Sequence, residues 1–387
     1  MPASAGPPPA SRSGVVLNDR REPAPSPNDL EVVPTATREI LRCQQTLEPL
    51  KTSAEGLYST AAGLVYPVKD GIIYMGYDER HHDFIQQIIE AERIHQTTPE
   101  AVEPSLAFLS ESSQAVVDLI RLARKHQRRD GALRGLELGA GSGWASWLFA
   151  EAGYEMWVCE LEPNSLFLGQ IYEHVRLGPG RRIACDATYV PFADGAFDLV
   201  LCKEFSHHVD DKDRLFREAN RVLKPGGLLL VQDPVRSVTS LWFYRRSRDT
   251  IPEHKISWAH RYSRAVRNSG FNRLEYGALN IRPARRVPGA PWAARRGTEA
   301  VRRGGIADDP LSLAYLQLVG GDLVIVGEKV REAPRVPRPR IRVLDPARLQ
   351  VSPADQATFQ PLRDLLQERA RPAARDAGGR ASTEGPG

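Results

Sequence analysis

The stretch Leu136-Glu137-Leu138-Gly139-Ala140-Gly141-Ser142-Gly143-Trp144 constrains this chain more than any other. A short apolar run, Leu133 to Leu138, meets a turn with glycine at every second position, and an apolar helical pattern, Trp144 to Ala152, follows at once. Glycine lets the backbone turn tightly and lets a ligand approach the main chain. The helix start behind it offers N–H groups without helical partners and the positive end of a dipole. A strand, a glycine turn and a helix in that order form one unit of a helix-covered sheet with a ligand site at the turn. Taken alone, such a turn is also compatible with a purely structural role.

Spacing narrows the ligand. A dinucleotide fingerprint needs Gly-x-Gly-x-x-Gly, and its third glycine would fall at Trp144. A phosphate loop needs Gly-Lys followed by Ser or Thr, and this loop has none. What remains is acid-x-Gly-x-Gly-x-Gly with Glu137 as the acid.

From Leu133 onward, strands and helices alternate. Strands are expected at 133–138, 155–159, 182–185, 197–202 and 227–232, and helices at 144–152, about 164–176, 212–223 and 236–269. Two late strands, 273–280 and 322–328, suit an antiparallel hairpin at one edge. The fold class is therefore α/β, a doubly wound, mostly parallel, seven-stranded sheet. In such a sheet the C-terminal strand ends line a crevice. Glu160 ends the second strand, 23 residues after Glu137, and its carboxylate can accept from both hydroxyls of a ribose. Glu162 competes for that role, but the register with Pro163 favours Glu160. Asp186 ends the third strand and can accept from an adenine amino group. Arg221-Val222-Leu223-Lys224-Pro225-Gly226-Gly227 closes a helix at a Pro-Gly-Gly turn before the fifth strand.

Together these stretches resemble the class I S-adenosylmethionine (SAM)-dependent methyltransferases, particularly the small-molecule branch related to ubiquinone/menaquinone C-methylases. The matching runs are LELGAGSG, CELEP, ACDATYVPFADGAFDLVLC and REANRVLKPGGLLLVQDP, in family order over about 133–234. The resemblance implies a Rossmann-like SAM-binding fold with SAM as cofactor. It puts Gly139, Gly141 and Gly143, with Ala140 between them, beneath the methionine part of SAM. It puts Glu160 on the ribose, Asp186 and Ala187 around the adenine, and Glu137 and Lys203 near the amino-acid end. Glu at 160 departs from the commoner Asp.

A small unit over 38–76 precedes this domain. Gly63 to Tyr74 reads as strand, turn and strand, with Asp70-Gly71 as the turn. Its Tyr66-Pro67-Val68 and Asp70-Gly71-Ile72 are similar to a zinc-ribbon-like domain that partners or precedes some methyltransferases. That family often has four cysteines, whereas here only Cys43 stands, with Thr46, Ser59 and Ala62 near the other positions. One thiolate cannot supply a tetrahedral site, so no metal is expected, and the unit is expected to act as a packing module or substrate lid. Cys43, Cys159, Cys185 and Cys202 show no paired spacing and are read as small core residues. A helical linker is expected over 77–130. Residues 1–37 are Pro-rich and expected to be disordered, as is most of 331–387, where eleven Arg face seven acids. That tail carries most of a net charge of +4, so the body gives no argument for nucleic-acid binding across its surface. With no apolar run long enough for a membrane span and no signal peptide visible, a cytoplasmic protein is expected.

Methyl transfer mainly requires alignment and exclusion of water, and many acceptors also need a base. The segment Lys203-Glu204-Phe205-Ser206-His207-His208 follows the fourth strand, and His207 and His208 are the candidate bases. Each has a structural alternative. Asp233, Trp242, Tyr244 and Arg245 are candidate contacts to the acceptor, with Phe243, Arg246 and Trp258 close by in sequence. An amphipathic helix packing its aromatic residues explains the same run. The expected function is a methyltransferase acting on an O, N or C nucleophile of a small molecule. An RNA or protein methyltransferase is the alternative, against which stands the absence of an Asn-Pro-Pro-Tyr-like run after the fourth strand. A non-catalytic scaffold predicts lost cofactor residues, yet all are present.

Overall fold

The computed structural model describes residues 33–69, 71–83, 85–86, 114–127, 131–162, 177, 180–240, 256–281, 292, 295 and 306–346. The described chain enters through helix α1 (Thr35–Ile40) and an antiparallel meander of β1 (Lys51–Ser53), β2 (Gly56–Ser59) and β3 (Leu64–Tyr66). The short strands β4 (Val68–Lys69), β5 (Ile72–Tyr74) and β6 (Gly76–Asp78) follow. Then come β7 (Leu133–Leu138), α2 (Trp144–Glu151), β8 (Tyr154–Glu160), β9 (Arg182–Ala184), β10 (Phe197–Lys203), α3 (Lys212–Val222) and β11 (Leu223–Pro234). The last elements are α4 (Ala259–Asn268), β12 (Phe271–Ile281), α5 (Pro310–Val319), β13 (Gly321–Lys329) and β14 (Ile341–Val343).

One sheet organises the molecule, in the order β12-β13-β11-β10-β7-β8-β9-β5-β4. From β9 to β11 its pairings are parallel, and β13 joins β11 and β12 antiparallel. The expected seven strands are present, with the late pair antiparallel at one edge. Every residue of β10 is buried, as a strand covered on both faces requires. Side chains alternate between two cores. Leu136, Leu138, Val200, Cys202, Leu229 and Val231 face α1, α3 and α4, while Leu199, Leu201, Leu228 and Leu230 face α2 and the helical residues 114–126. Helix α3 buries Leu215, Phe216, Ala219 and Val222, one stripe of a 3.6-residue repeat, and Asp211 caps it by accepting from the Arg214 N–H at 2.9 Å.

Three expectations are corrected. The sheet has nine strands because β5 pairs in parallel with β9 and carries β4 with it, so the end of 38–76 belongs to the main sheet rather than to a unit apart. The boundary at 37 also moves. Val33 and Thr37 are buried, and the Trp157 Nε1–H donates to Thr37 Oγ1 at 2.9 Å. Finally, residues 331–346 are packed rather than a tail. Arg335 and Arg338 pair with Asp194 and Glu218 at 2.9 and 2.6 Å, and β14 pairs antiparallel with β6. A strand pairing and the buried Arg338–Glu218 ion pair there outweigh a composition that reads as unstructured. The rest of 1–37 and 331–387, the expected helix at 164–176 and most of 77–130 lie outside the described residues. Among the described residues, no helix is long and apolar enough to cross a membrane.

Candidate functional site

The strand order reverses between the parallel neighbours β7 and β10, since the chain goes from β7 outward through β8 and β9, then returns to β10 and β11 on the other side. That switch point opens a crevice at the strand C-termini. Gly139, Gly141 and Gly143 stand there with φ of 67°, 53° and 79°, a region that favours glycine. Backbone N–H groups of Gly139 and Ala140 donate to the Cys159 carbonyl at 2.9 and 3.1 Å, tying the loop to β8. A Cβ on Gly139 would collide with the Phe205 ring, whereas one on Gly141 would meet nothing within 4 Å. The loop is therefore packed on one side and open on the other, as a cradle for a ligand must be.

Glu160 ends β8 beside the loop. Its carboxylate accepts from the N–H groups of Gly141 at 2.8 Å and Leu161 at 2.7 Å. Burial pushes this carboxyl up, and those bonds pull it down. Asp186, at the end of β9, accepts from Thr188 N–H and Oγ1–H at 2.8 and 2.7 Å, both through Oδ1, and burial raises it as well. Ala187 is buried next to it and opens a short 3-10 turn to Tyr189. Two half-buried carboxylates thus stand at successive strand ends beside the glycine loop, a set of acceptors that suits ribose hydroxyls and an amino group.

Glu137 is 2% exposed, and its Oε2 accepts from the Ser146 N–H at 3.0 Å and from the Ser146 Oγ–H at 2.6 Å. It caps α2 from within the sheet, because Gly143 at the helix start has no side chain to do so. Burial pushes its carboxyl up to about 7, opposed by the Ser146 bonds and the charge of Lys203. Lys203 is buried at the end of β10, its Nζ 4.9 Å from the centroid of the Trp144 ring and 3.1 Å from Glu204. Glu204 has φ of 51°, uncommon for a residue with a side chain, and its N–H donates to the Gln232 carbonyl at 2.6 Å. No local pattern announces such a conformation, so sequence reasoning named Glu204 only as part of its segment.

The two histidines separate. His207 is 6% exposed and its Nδ1 lies 2.6 Å from Asp233 Oδ1, whereas His208 is exposed with its ring 4.2 Å from that of His207. Asp233 is fully buried near the end of β11 and also accepts from the N–H groups of Ser206 and His207 at 3.0 and 3.3 Å. A carboxylate can only accept, so in this bond Nδ1 carries the hydrogen. This is the arrangement that orients a histidine base in hydrolytic triads. Trp242, Tyr244 and Arg245 lie outside the described residues. Among the described residues no group of His, Cys, Asp or Glu could hold a metal ion. A cavity of about 340 Å³ opens at the other end of the strands, between α3 and residues 332–336. Its lining charges Arg221, Asp194, Glu218 and Arg335 already pair with one another, and it is remote from the glycine loop.

Residues 136–231 match the family described as a methyltransferase domain. An uncharacterized methyltransferase of Mycolicibacterium gilvum is 32% identical over 38% of this chain and 54% of its own length. The demethylmenaquinone methyltransferase of Paenarthrobacter aurescens is 34% identical over 28% of this chain and 41% of its own length. The chain spans about half the length of the first curated relatives it matches. Among solved structures, the geranyl diphosphate C-methyltransferase of Streptomyces coelicolor, in complex with Mg2+, geranyl diphosphate and S-adenosyl-L-homocysteine, aligns with a TM-score of 0.40 and 18% identity, covering 60% of this chain and 86% of that one.

Proposed function

We propose that this chain, which carries a class I SAM-dependent methyltransferase domain, transfers a methyl group from SAM to a protonated nucleophile of a small molecule, with His207 as the base. The hydrogen bond of 2.6 Å between His207 and the buried Asp233 is the observation that carries this choice. An acceptor such as a hydroxyl, a phenol or an acidic carbon has a proton to lose. A neutral amine needs no base before attack, and is the weaker candidate for this site.

SAM fits the residues present. Gly139, Ala140, Gly141 and Gly143 would lie against its methionine part, and Glu137 and Lys203 would face its ammonium and carboxylate. Glu160 would accept from the ribose hydroxyls, and Asp186 with Ala187 would border the adenine. When bound, SAM supplies an electrophilic methyl group on a sulfonium. The protein's part is then orientation and proton handling. Asp233 holds the His207 ring with Nδ1–H toward itself, Nε2 takes the acceptor's proton, and the buried carboxylate stabilises the imidazolium that forms. The exposed His208 and the half-buried Glu204 on the same segment are candidate contacts to the acceptor, alongside Trp242, Tyr244 and Arg245. A small acceptor is favoured over RNA because Arg335 and Arg338, two members of the basic stretch, are spent on Asp194 and Glu218.

Isothermal titration with SAM, followed by transfer of labelled methyl to a panel of phenols, alcohols and carbon acids, tests the proposal. Binding and transfer that is lost in His207→Gln support it. Binding without transfer to any small acceptor, together with labelling of bulk RNA or protein, refutes it.

A further inference from the structure

The N-terminal turn Cys43 to Glu48 places two glutamines side by side, and each grips a different strand. The turn closes through Leu47 N–H to Cys43 O at 2.8 Å and Cys43 N–H to Glu48 O at 2.9 Å. The Cys43 thiol, 3.3 Å from the Tyr66 hydroxyl, fixes it to β3. Gln44 is fully buried and spends both ends of its amide on one residue. Its Nε2–H donates to Gly76 O at 2.8 Å, and its Oε1 accepts from Gly76 N–H at 2.8 Å. Gln45 Oε1 accepts from the Ile341 N–H at 3.1 Å.

Gly76 is the meeting point of three segments far apart in sequence. Its carbonyl also accepts from the Asp186 N–H at 3.0 Å, so the same oxygen carries Gln44 on one side and Asp186 on the other. On its outer edge β14 pairs with β6, with Val343 opposite Gly76 and Ile341 opposite Asp78. Leu344 N–H to Met75 O at 2.7 Å and Glu79 N–H to Arg340 O at 3.0 Å extend that ribbon at both ends. The approach is so close that a Cβ on Gly76 would overlap the Arg342 carbonyl. Both hydrogen bonds that orient the Asp186 side chain run through Oδ1, which leaves Oδ2 as the oxygen with capacity for an incoming amino group.

We propose that Gln44 and Gly76 are positioning residues for adenine recognition, acting through the backbone of Asp186, and that the N-terminal unit and residues 340–344 together hold this wall of the cofactor site. The proposal rests on Asp186 being the adenine contact of a SAM site. It gives the small unit a task in cofactor selectivity, on the opposite flank of the sheet from His207.

The test is the preference of the full-length chain for S-adenosylhomocysteine over S-inosylhomocysteine, whose 6-oxo group cannot donate to a carboxylate. Dissociation constants are measured for wild type, Gln44→Leu, Gln44→Glu and Asp186→Ala, each checked for a wild-type melting transition. Wild type is expected to prefer the 6-amino ligand by about tenfold or more, the scale of a hydrogen bond to a charged group. Gln44→Leu is expected to reduce that preference to about threefold or less. Gln44→Glu, which keeps the acceptor for Gly76 N–H but loses the donor to Gly76 O, is expected to fall between, and decides the matter if the leucine variant does not fold. A preference equal to wild type in a folded Gln44 variant, with Asp186→Ala having lost it, overturns the proposal alone. A preference unchanged in Asp186→Ala overturns the adenine assignment and the proposal with it.

Discussion

Asp233 Oδ1 lies 2.6 Å from His207 Nδ1, although the two residues belong to different strand ends and are separated by an entire helix in the chain. The pair exists because β10 and β11 are parallel neighbours, so their C-terminal extensions emerge side by side. His207→Gln is expected to lower kcat by about 10²- to 10⁴-fold and to leave the dissociation constant for SAM near wild type. Initial-rate kinetics and SAM titration on both proteins check this. A wild-type kcat in His207→Gln would assign the proton to another group.

The glycines of the loop are expected to fail in different ways. Gly139→Ala drives a methyl group into the Phe205 ring at positive φ, and is expected to cost about 2–4 kcal/mol in urea unfolding. Truncating the ring in Gly139→Ala/Phe205→Ala should recover part of that loss. Gly141→Ala meets no protein atom, so it should cost only about 1 kcal/mol of backbone strain while weakening SAM binding markedly. Equal losses of stability in the two single variants would contradict this.

Glu137 links stability to pH. Its carboxyl titrates at about 7 in the folded state against an ordinary 4.5, so the folded state holds its proton the longer. Stability from this group is therefore lost as pH rises from the ordinary range through about 7, and above that the deficit is constant at ~3 kcal/mol. Glu137→Gln is expected to raise the Tm of the ligand-free protein at pH 8.5 and to change it little at pH 4.5. The same variant should bind SAM more weakly at pH 8.5, since the carboxylate that would face the ammonium is gone. Thermal melts at both pH values, with and without SAM, measure the two effects.

The N-terminal turn is expected to stand without metal. Cys43 is buried, with its thiol against Tyr66, and Glu48 accepts from Ser59 Oγ–H and Ala61 N–H at 2.5 and 2.7 Å. A chelator should leave the melting transition unchanged, and elemental analysis should find no stoichiometric zinc. Cys43→Ala should destabilise by roughly 1–2 kcal/mol, from the small void and the lost phenol partner.

The strand and loop pattern around Gly139 was legible because it is local. Apolar runs of five to seven residues, each followed by a turn or helix signal, leave little choice of architecture, and the strand ends then bring Glu160 and Asp186 to the crevice. The late antiparallel pair at one edge and the strand, turn and strand over 63–74 were legible too, but the partners of β5 and β14 were not. Strand β5 has three residues and β14 three, too few to show a period of two, and each finds its partner far away in the chain. Composition misled at residues 331–346, where Pro and Arg read as solvated chain. In the fold, Arg338 reaches the buried Glu218 and Ile341 enters a ribbon, and neither partner is near in sequence. Gln44 carried no signal at all, since a glutamine gains its meaning only from the peptide group it meets. The histidines were identified as a pair, and only the position of Asp233 distinguishes them.

The clasp of β14 on β6 also bears on how the protein is made. Strands β7, β8, β9 and β10 can pair as they emerge from the ribosome, since their partners precede or closely follow them. The strand beside Asp186 acquires its outer neighbour only when Ile341–Val343 has been synthesised. A nascent chain stopped after β13 would hold a glycine loop and a nearly complete sheet, yet its adenine wall would have one open edge. Competence to hold the cofactor would then arrive late in synthesis, after most of the sheet has formed.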